Sequence, residues 1–191
     1  MNVMVKKLSY LPPMELVFFR CTVASIIGFT LLKKQSLPWQ GSNRKLLLLR
    51  GMFGTIALFT FFYTLQRMPI GTAVTIQYLS PVFTTIFAVY ILREKVVPVQ
   101  WLFFMISFLG VIVIKGFDHR IDGATLAIGL LSSMVSGLAY NMVRSLKEKE
   151  HPLVVVLHFQ LFGAVTGALF TIFQFQAPLV YDWIYIVLVG V

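Results

Sequence analysis

The sequence predicts an all-α polytopic membrane helix bundle, and three observations carry that expectation. Apolar residues make up 58% of the 191 residues and charged ones only 12%. A water-soluble domain carries about 25% charged residues, so this chain has too little charge to cover a soluble globule. The apolar residues also fall in runs of about twenty, the length that crosses a hydrocarbon core as a helix. Mean hydropathy is +0.85, and the charges sit mostly in short stretches between the runs.

Residues 1–8 are too short to span a membrane. Pro12 and Pro13 break the chain ahead of a helix predicted over 15–32. Lys6 and Lys7 before an apolar run mimic a secretory leader, but Glu15 and Arg20 interrupt the run and no small-residue cleavage site follows. A loop with Pro38 and Gly41 as turn residues leads to a span over 46–65. The turn QRMPIG leads into 72–92, REKVVP into 99–115, FDHRIDG into 124–143, and RSLKEKEHP into 153–175. A last run starts at Trp183 and reaches Val191 after nine residues.

The net charge of +9 does not point to nucleic acid, because the basic residues lie between apolar runs and not along one face. Their placement sets orientation instead. One set of alternating loops holds ten basic residues, Arg50 counted among them, and the other set holds five. The richer side is therefore expected in the cytoplasm. Trp39, Trp101 and Trp183 sit near span ends, as interfacial anchors do. Cys21 is the single cysteine and has no neighbouring ligand, so a disulfide within the chain is excluded.

Sliding the chain by 139 positions lays Pro13 on Pro152 and Gly28 on Gly167. The first of these spans runs inward by the charge count and its match runs outward. That is the inverted-repeat pattern of secondary transporters. If the repeat holds, the chain lacks parts at both ends of a ten-helix protein. Residues 1–116 would then hold the first five-helix repeat, its first helix truncated, and residues 124–191 the start of a second.

YLSPVFTTIFAVYILREKV at 78–96 resembles the fourth helix of EamA-type proteins of the drug/metabolite transporter superfamily, with Pro81 at the family's mid-helix proline and Glu94 at its cytoplasmic glutamate. LPPMELVFFR at 11–20 resembles the start of the second helix, including its arginine, here Arg20. Residues 57–81 resemble the hairpin of the third and fourth helices, and FLGVIVI at 108–114 resembles the fifth. The resemblance implies ten helices, two inverted five-helix repeats, a central cavity and a bacterial cytoplasmic membrane.

Arg20 lies about five positions into its predicted span, where a charge costs about 3 kcal/mol on insertion scales. It either snorkels to the interface or binds an anionic group in a wet cavity. Pro81 removes a backbone hydrogen bond inside a span, either as a plain bend or as a kink that opens a cavity. Gln77, Ser80 and Thr84 follow three- and four-residue spacing on that helix. Ser133, Ser136, Tyr140 and Arg144 form a second polar face, with Asn141 adjacent, which Tyr63 could join. Two readings stand for these residues, a solute pathway and interhelical glue. Gly129, Ser133 and Gly137, and likewise Gly163 and Gly167, fit close helix contact. His158 is either a hydrogen-bonded structural residue or a proton relay. Glu94 is expected as a charged helix end, and the loop carrying Asp118 and His119 offers no firm metal geometry.

These features point to a secondary transporter of small metabolites or drug-like solutes, an exporter working by alternating access. No phosphate-binding G-x-x-x-x-G-K-[ST] motif is present, and no cofactor is expected. The expected partners are the lipid bilayer and a small solute, with nothing to indicate a homodimer. Two alternatives stay open: an inactive or partner-dependent fragment of such a transporter, and an intramembrane enzyme using Ser136 with His158.

Overall fold

The computed structural model describes residues 1–91, 93, 98–117, 122–179 and 181–190. Among these, all regular structure is helical: α1 (Asn2–Lys7), α2 (Pro13–Lys34), α3 (Arg44–Arg67), α4 (Ile70–Gln77), α5 (Ser80–Ile91), α6 (Pro98–Phe117), α7 (Gly123–Leu146), α8 (Pro152–Gln174) and α9 (Asp182–Gly190). Five stretches are long and apolar enough to cross a membrane: α2, α3, the combined run Ile70–Ile91, α7 and α8. The described part of α6 is apolar but shorter, over Pro98–Val113. Glu94, Asp118 and His119 lie outside the described residues.

Local chemistry sets the helix ends. Pro13 and Pro152 stand at helix starts, where a missing N–H costs nothing. The Asn43 side chain accepts from the Leu46 N–H at 3.3 Å, and that of Asp122 from the Thr125 N–H at 3.2 Å. Helix α2 closes with paired bonds, Leu37 N–H to Leu32 C=O and Ser36 N–H to Lys33 C=O. Leu37 also packs on Leu32. This is a Schellman closure, with Ser36 at φ 53° where glycine is usual. Helix α3 stops because Met68 precedes Pro69 and is extended, at φ −127° and ψ 167°.

Helices α2, α3, α7 and α8 form the centre. α3 packs most extensively on α7, α2 on α8, and α5 on α7; α9 lies on α2 and α8 on α3. The neighbours fix direction. On α8, Gly167 meets Phe18, Gly163 meets Cys21, and Leu157 meets Gly28, so α8 runs antiparallel to α2. Leu47 clusters with Leu146 and Ser132 bonds Ala57, so α7 runs antiparallel to α3. A Cβ at Gly167 would lie 2.8 Å from the Phe18 Cα, and one at Gly137 would lie 2.8 Å from the Thr84 nitrogen. The small residues expected at helix contacts are what bring these backbones so close.

Contacts also sort the loops into two ends. Glu150 Oε1 accepts from the Asn43 N–H at 2.6 Å, which joins the loops after α2 and α7 at one end. At the other end Lys6 Nζ donates to the carbonyls of Gln66 and Met68, and Gln66 Nε2 donates to that of Leu11. There the Gln176 N–H donates to Glu15, and Tyr10 bonds Asp182. Lys33, Lys34, Arg44, Lys45, Lys147 and Lys149 thus gather at the first end. Around the bundle runs a belt of exposed apolar side chains, among them Ile26, Phe29, Ile112, Val165 and Phe173. On an apolar-spanned bundle this belt is the surface that lipid covers.

Candidate functional site

The polar centre is organised around a break in the fourth membrane run. Pro81 cannot donate to the Gln77 carbonyl four residues back. Helix α4 accordingly ends at Gln77, Tyr78 and Leu79 form a turn, and α5 starts at Ser80. The expected single bent helix is therefore two helices. The break frees the Gln77 side chain to reach α7. Its Nε2 donates to Ser136 Oγ at 2.8 Å, and its Oε1 lies 3.3 Å from Ser132 Oγ, which also donates to the Ala57 carbonyl at 3.0 Å. Helices α3, α4 and α7 are tied at one point. Just beyond, Asn141 Nδ2 donates to the carbonyls of Thr84 and Gly137 at 2.9 and 3.0 Å. Thr84 Oγ1 bonds back to the Ser80 carbonyl at 2.7 Å.

A cavity of about 320 Å³ opens beside this knot. It takes Arg20 from α2, Arg50, Gly54 and Phe61 from α3, Gln77 from α4, Ser136 and Tyr140 from α7, and Phe159 from α8, with Met1 ahead of α1 on one side. Arg20, Gln77, Ser136 and Tyr140, chosen from three separate spans, thus share one cavity. Ser80, Pro81, Thr84 and Asn141 do not line it; they build the break and its clamp to α7. Tyr63 lies elsewhere, under the Arg67 guanidinium at 4.3 Å. It faces a crevice of about 600 Å³ between α2, α3 and α8 that is lined mostly by apolar side chains.

Arg50 is the cavity residue that sequence reasoning missed. Counted as a loop charge, it lies six residues into α3, roughly 9 Å along the axis. Its guanidinium stacks 4.3 Å from the Phe159 ring centroid. Gly54 makes the room: a Cβ there would fall 1.9 Å from Arg50 Nη1 and 2.7 Å from the Phe159 ring. An arginine followed four residues later by glycine, inside an apolar run, was the available signal. Nε and Nη1 of both Arg20 and Arg50 are buried and make no hydrogen bond to any described residue. A cation–π contact contributes about 0.5–2 kcal/mol, while a buried donor left without a hydrogen bond costs about 1–3 kcal/mol, and more when charged. Stacking on Phe159 alone does not offset the charge.

His158 Nδ1 donates to the Val154 carbonyl at 2.9 Å within α8 and opens onto a separate apolar cleft with Leu47 and Leu161. It does not share a cavity with Ser136. Cys21 is buried against Gly163. Among the described residues no group of three His, Cys, Asp or Glu could hold a metal ion.

The sequence profile of the EamA-like transporter family matches residues 1–116. The pseudopaline exporter CntI of Pseudomonas aeruginosa is 27% identical over 161 residues, covering 83% of this chain and 57% of the relative. Human solute carrier family 35 member G1 is 34% identical over 115 residues, covering 59% of this chain and 32% of the relative. The mouse protein of the same name is 25% identical over 209 residues, 99% of this chain and 56% of its own length. The chain spans just over half the length of CntI. A crystal structure superposes with a TM-score of 0.68 at 20% identity, covering 99% of this chain and 70% of that one; that likeness concerns the fold.

Proposed function

The chain belongs to the EamA-like transporter family, and from that premise we propose that it forms part of a secondary transporter. This transporter moves small polar or drug-like solutes outward across a cytoplasmic membrane by alternating access. The observation that carries the reading is the central cavity, to which five helices contribute and which lies beside a broken helix. Discontinuous helices beside a midplane cavity are how transporters of inverted-repeat design hold a solute.

Helix pairing supports two inverted repeats. Number the spans in order, with α4 and α5 together as the fourth. Exchanging first with sixth, second with seventh and third with eighth turns the α3·α7 contact into α1·α9, and α3·α8 into α2·α9. It leaves α2·α8 unchanged. All five contacts are present, while α2·α3 and α1·α3 are not matched by comparable α8·α9 and α7·α9 contacts. In this reading residues 1–116 are the first five-helix repeat and 124–191 the start of the second, within a ten-helix whole. Export is supported by the relative named as an exporter. Gln77, Ser136 and Tyr140 line the solute path, while Pro81, Ser80, Thr84 and Asn141 hold the break beside it.

The test is counterflow of a panel of labelled metabolites into proteoliposomes. One set holds the 191-residue chain and a second holds the product of its full native coding frame. Saturable flux lost in Gln77→Leu supports the reading. Flux from the longer product alone assigns this chain to the role of a part. Absence of flux from both removes the transporter proposal.

A further inference from the structure

We propose that Arg20 and Arg50 together bind an oxyanion on the transported solute, a carboxylate or a phosphate, so that the cavity selects anionic over neutral solutes. This rests on the transporter reading and names its substrate class. Two guanidinium groups on different helices line one cavity together with Met1, and among the described residues that lining holds no carboxylate. Each keeps two buried nitrogens with no hydrogen-bond partner among the described residues. A buried donor left unmatched costs about 1–3 kcal/mol, and more when charged. Arg20 also lines a second cavity with Gln160 and Val189, and in the cavity it shares with Arg50 one anion can meet both groups. Arg50 is held with its flat face on Phe159, and the N–H groups of a guanidinium point along its edge. That edge is the part which forks onto carboxylate or phosphate. Gln77 and Ser136 bond each other, which leaves the Tyr140 hydroxyl as the neutral polar group of the wall beside the two arginines. A volume of about 320 Å³ is at the lower end for small-ligand pockets. A lipid headgroup carries the same phosphate chemistry, but the cavity is walled by side chains of α2, α3, α4, α7 and α8 and by Met1, which favours a soluble solute.

The experiment measures equilibrium binding of labelled succinate, inorganic phosphate and neutral succinamide to the chain in phosphatidylcholine nanodiscs. Wild type is compared with Arg20→Gln, Arg50→Gln, Arg50→Lys and, as a control outside the cavity, Arg67→Gln. Succinate or phosphate is expected to bind at least tenfold more tightly than succinamide. Each glutamine variant should lose tenfold or more of that binding, and Arg67→Gln none. Should a glutamine variant fail to fold, arginine modification of wild type by phenylglyoxal, mapped by mass spectrometry, reads the same contact. Both oxyanions should then slow modification at Arg20 and Arg50. Equal binding of succinate and succinamide, or no protection of either arginine, overturns the proposal. So does arginine-dependent retention of phosphatidylglycerol in place of both solutes, which would make the anion a headgroup. Neutral-solute flux that Arg50→Gln leaves intact would also overturn it and leave the transporter reading standing. Arginine-dependent oxyanion binding without flux would support it and count against transport.

Discussion

At the residue scale, small side chains decide what their larger neighbours can do. Ser36 holds φ 53°, a conformation that costs an L-residue about 1–2 kcal/mol. Glycine gives back about 0.5–1 kcal/mol of that gain in unfolded-chain entropy. Ser36→Gly is therefore expected to stabilise the chain by up to about 1 kcal/mol, read as a higher Tm in detergent. A lower Tm would mean that the serine hydroxyl contributes more than the strain costs. Gly54 acts on function-bearing side chains. Gly54→Ala sets a methyl against both Arg50 and the Phe159 ring, and overpacking of this kind costs about 1–3 kcal/mol. The arginine tip can swing away but the ring is fixed to α8. Adding Phe159→Ala should then recover part of the loss, giving clear non-additivity in thermal unfolding. Strictly additive losses would show that the two side chains do not compete for that space. Glycines in an apolar run are plain in the sequence. Which neighbour each one admits is not, because the neighbour comes from another helix about a hundred residues away.

At the scale of the helices, the pairing of α2 with α8 and the break at Pro81 are separately testable. Cys21 is the single cysteine, and a Cβ at position 163 lies 3.4 Å from the Cys21 Cβ. That is close to the disulfide range of about 3.5–4.5 Å. Gly163→Cys is expected to oxidise to an intramolecular disulfide, seen as loss of two hydrogen atoms by mass. Phe170→Cys, on the exposed face of the same helix, should stay reduced. A bridge from position 170 would contradict the α2–α8 register. For the break, Pro81→Ala restores the donor that the Gln77 carbonyl lacks. Amide hydrogen exchange over residues 78–84 should slow as α4 and α5 merge. Unchanged exchange would mean that the Asn141 and Ser136 bonds hold the break without help from the proline. The sequence placed a proline inside a span and polar residues at its neighbours. It did not tell a bend from two helices, since that depends on α7 offering Ser132, Ser136 and Asn141 at matching heights.

For the whole molecule, the two ends differ in charge, and membrane insertion reads that difference. In a Cys21→Ala background, Gln40→Cys and Ala177→Cys place exposed thiols at opposite ends. The first should react with an impermeant maleimide only after the membrane is opened, and the second in intact cells. Reversed labelling would invert the assignment and with it the inward and outward directions of the transport proposal. Among α1, α2, α3, α7, α8 and α9, the pairs α3·α7 and α1·α9, α3·α8 and α2·α9, and α2·α8 with itself exchange when the two groups of helices are swapped, whereas α2·α3 and α1·α3 find no comparable α8·α9 or α7·α9 contact. In the sequence the repeat proposed for this chain rests on two identities at a shift of 139 positions, Pro13 with Pro152 and Gly28 with Gly167. Which helices touch is a separate line of support, and no single sequence shows that.

Membrane residence and the approximate extent of the apolar spans were determined by the sequence alone, because each depends on composition and run length within one continuous stretch. A transmembrane helix satisfies its own backbone hydrogen bonds, so its existence needs no partner. The tertiary structure decided the cavity. Arg20, Gln77, Ser136 and Tyr140 share it with Arg50, whereas Tyr63 faces the separate crevice between α2, α3 and α8. Which face of a helix looks inward is set by packing of small residues against neighbours. In a span apolar nearly all round, periodicity does not mark that face. Arg50 shows the consequence: in sequence it is one more basic residue near a span end, and in the folded bundle it stands over Gly54, against Phe159, inside the polar centre.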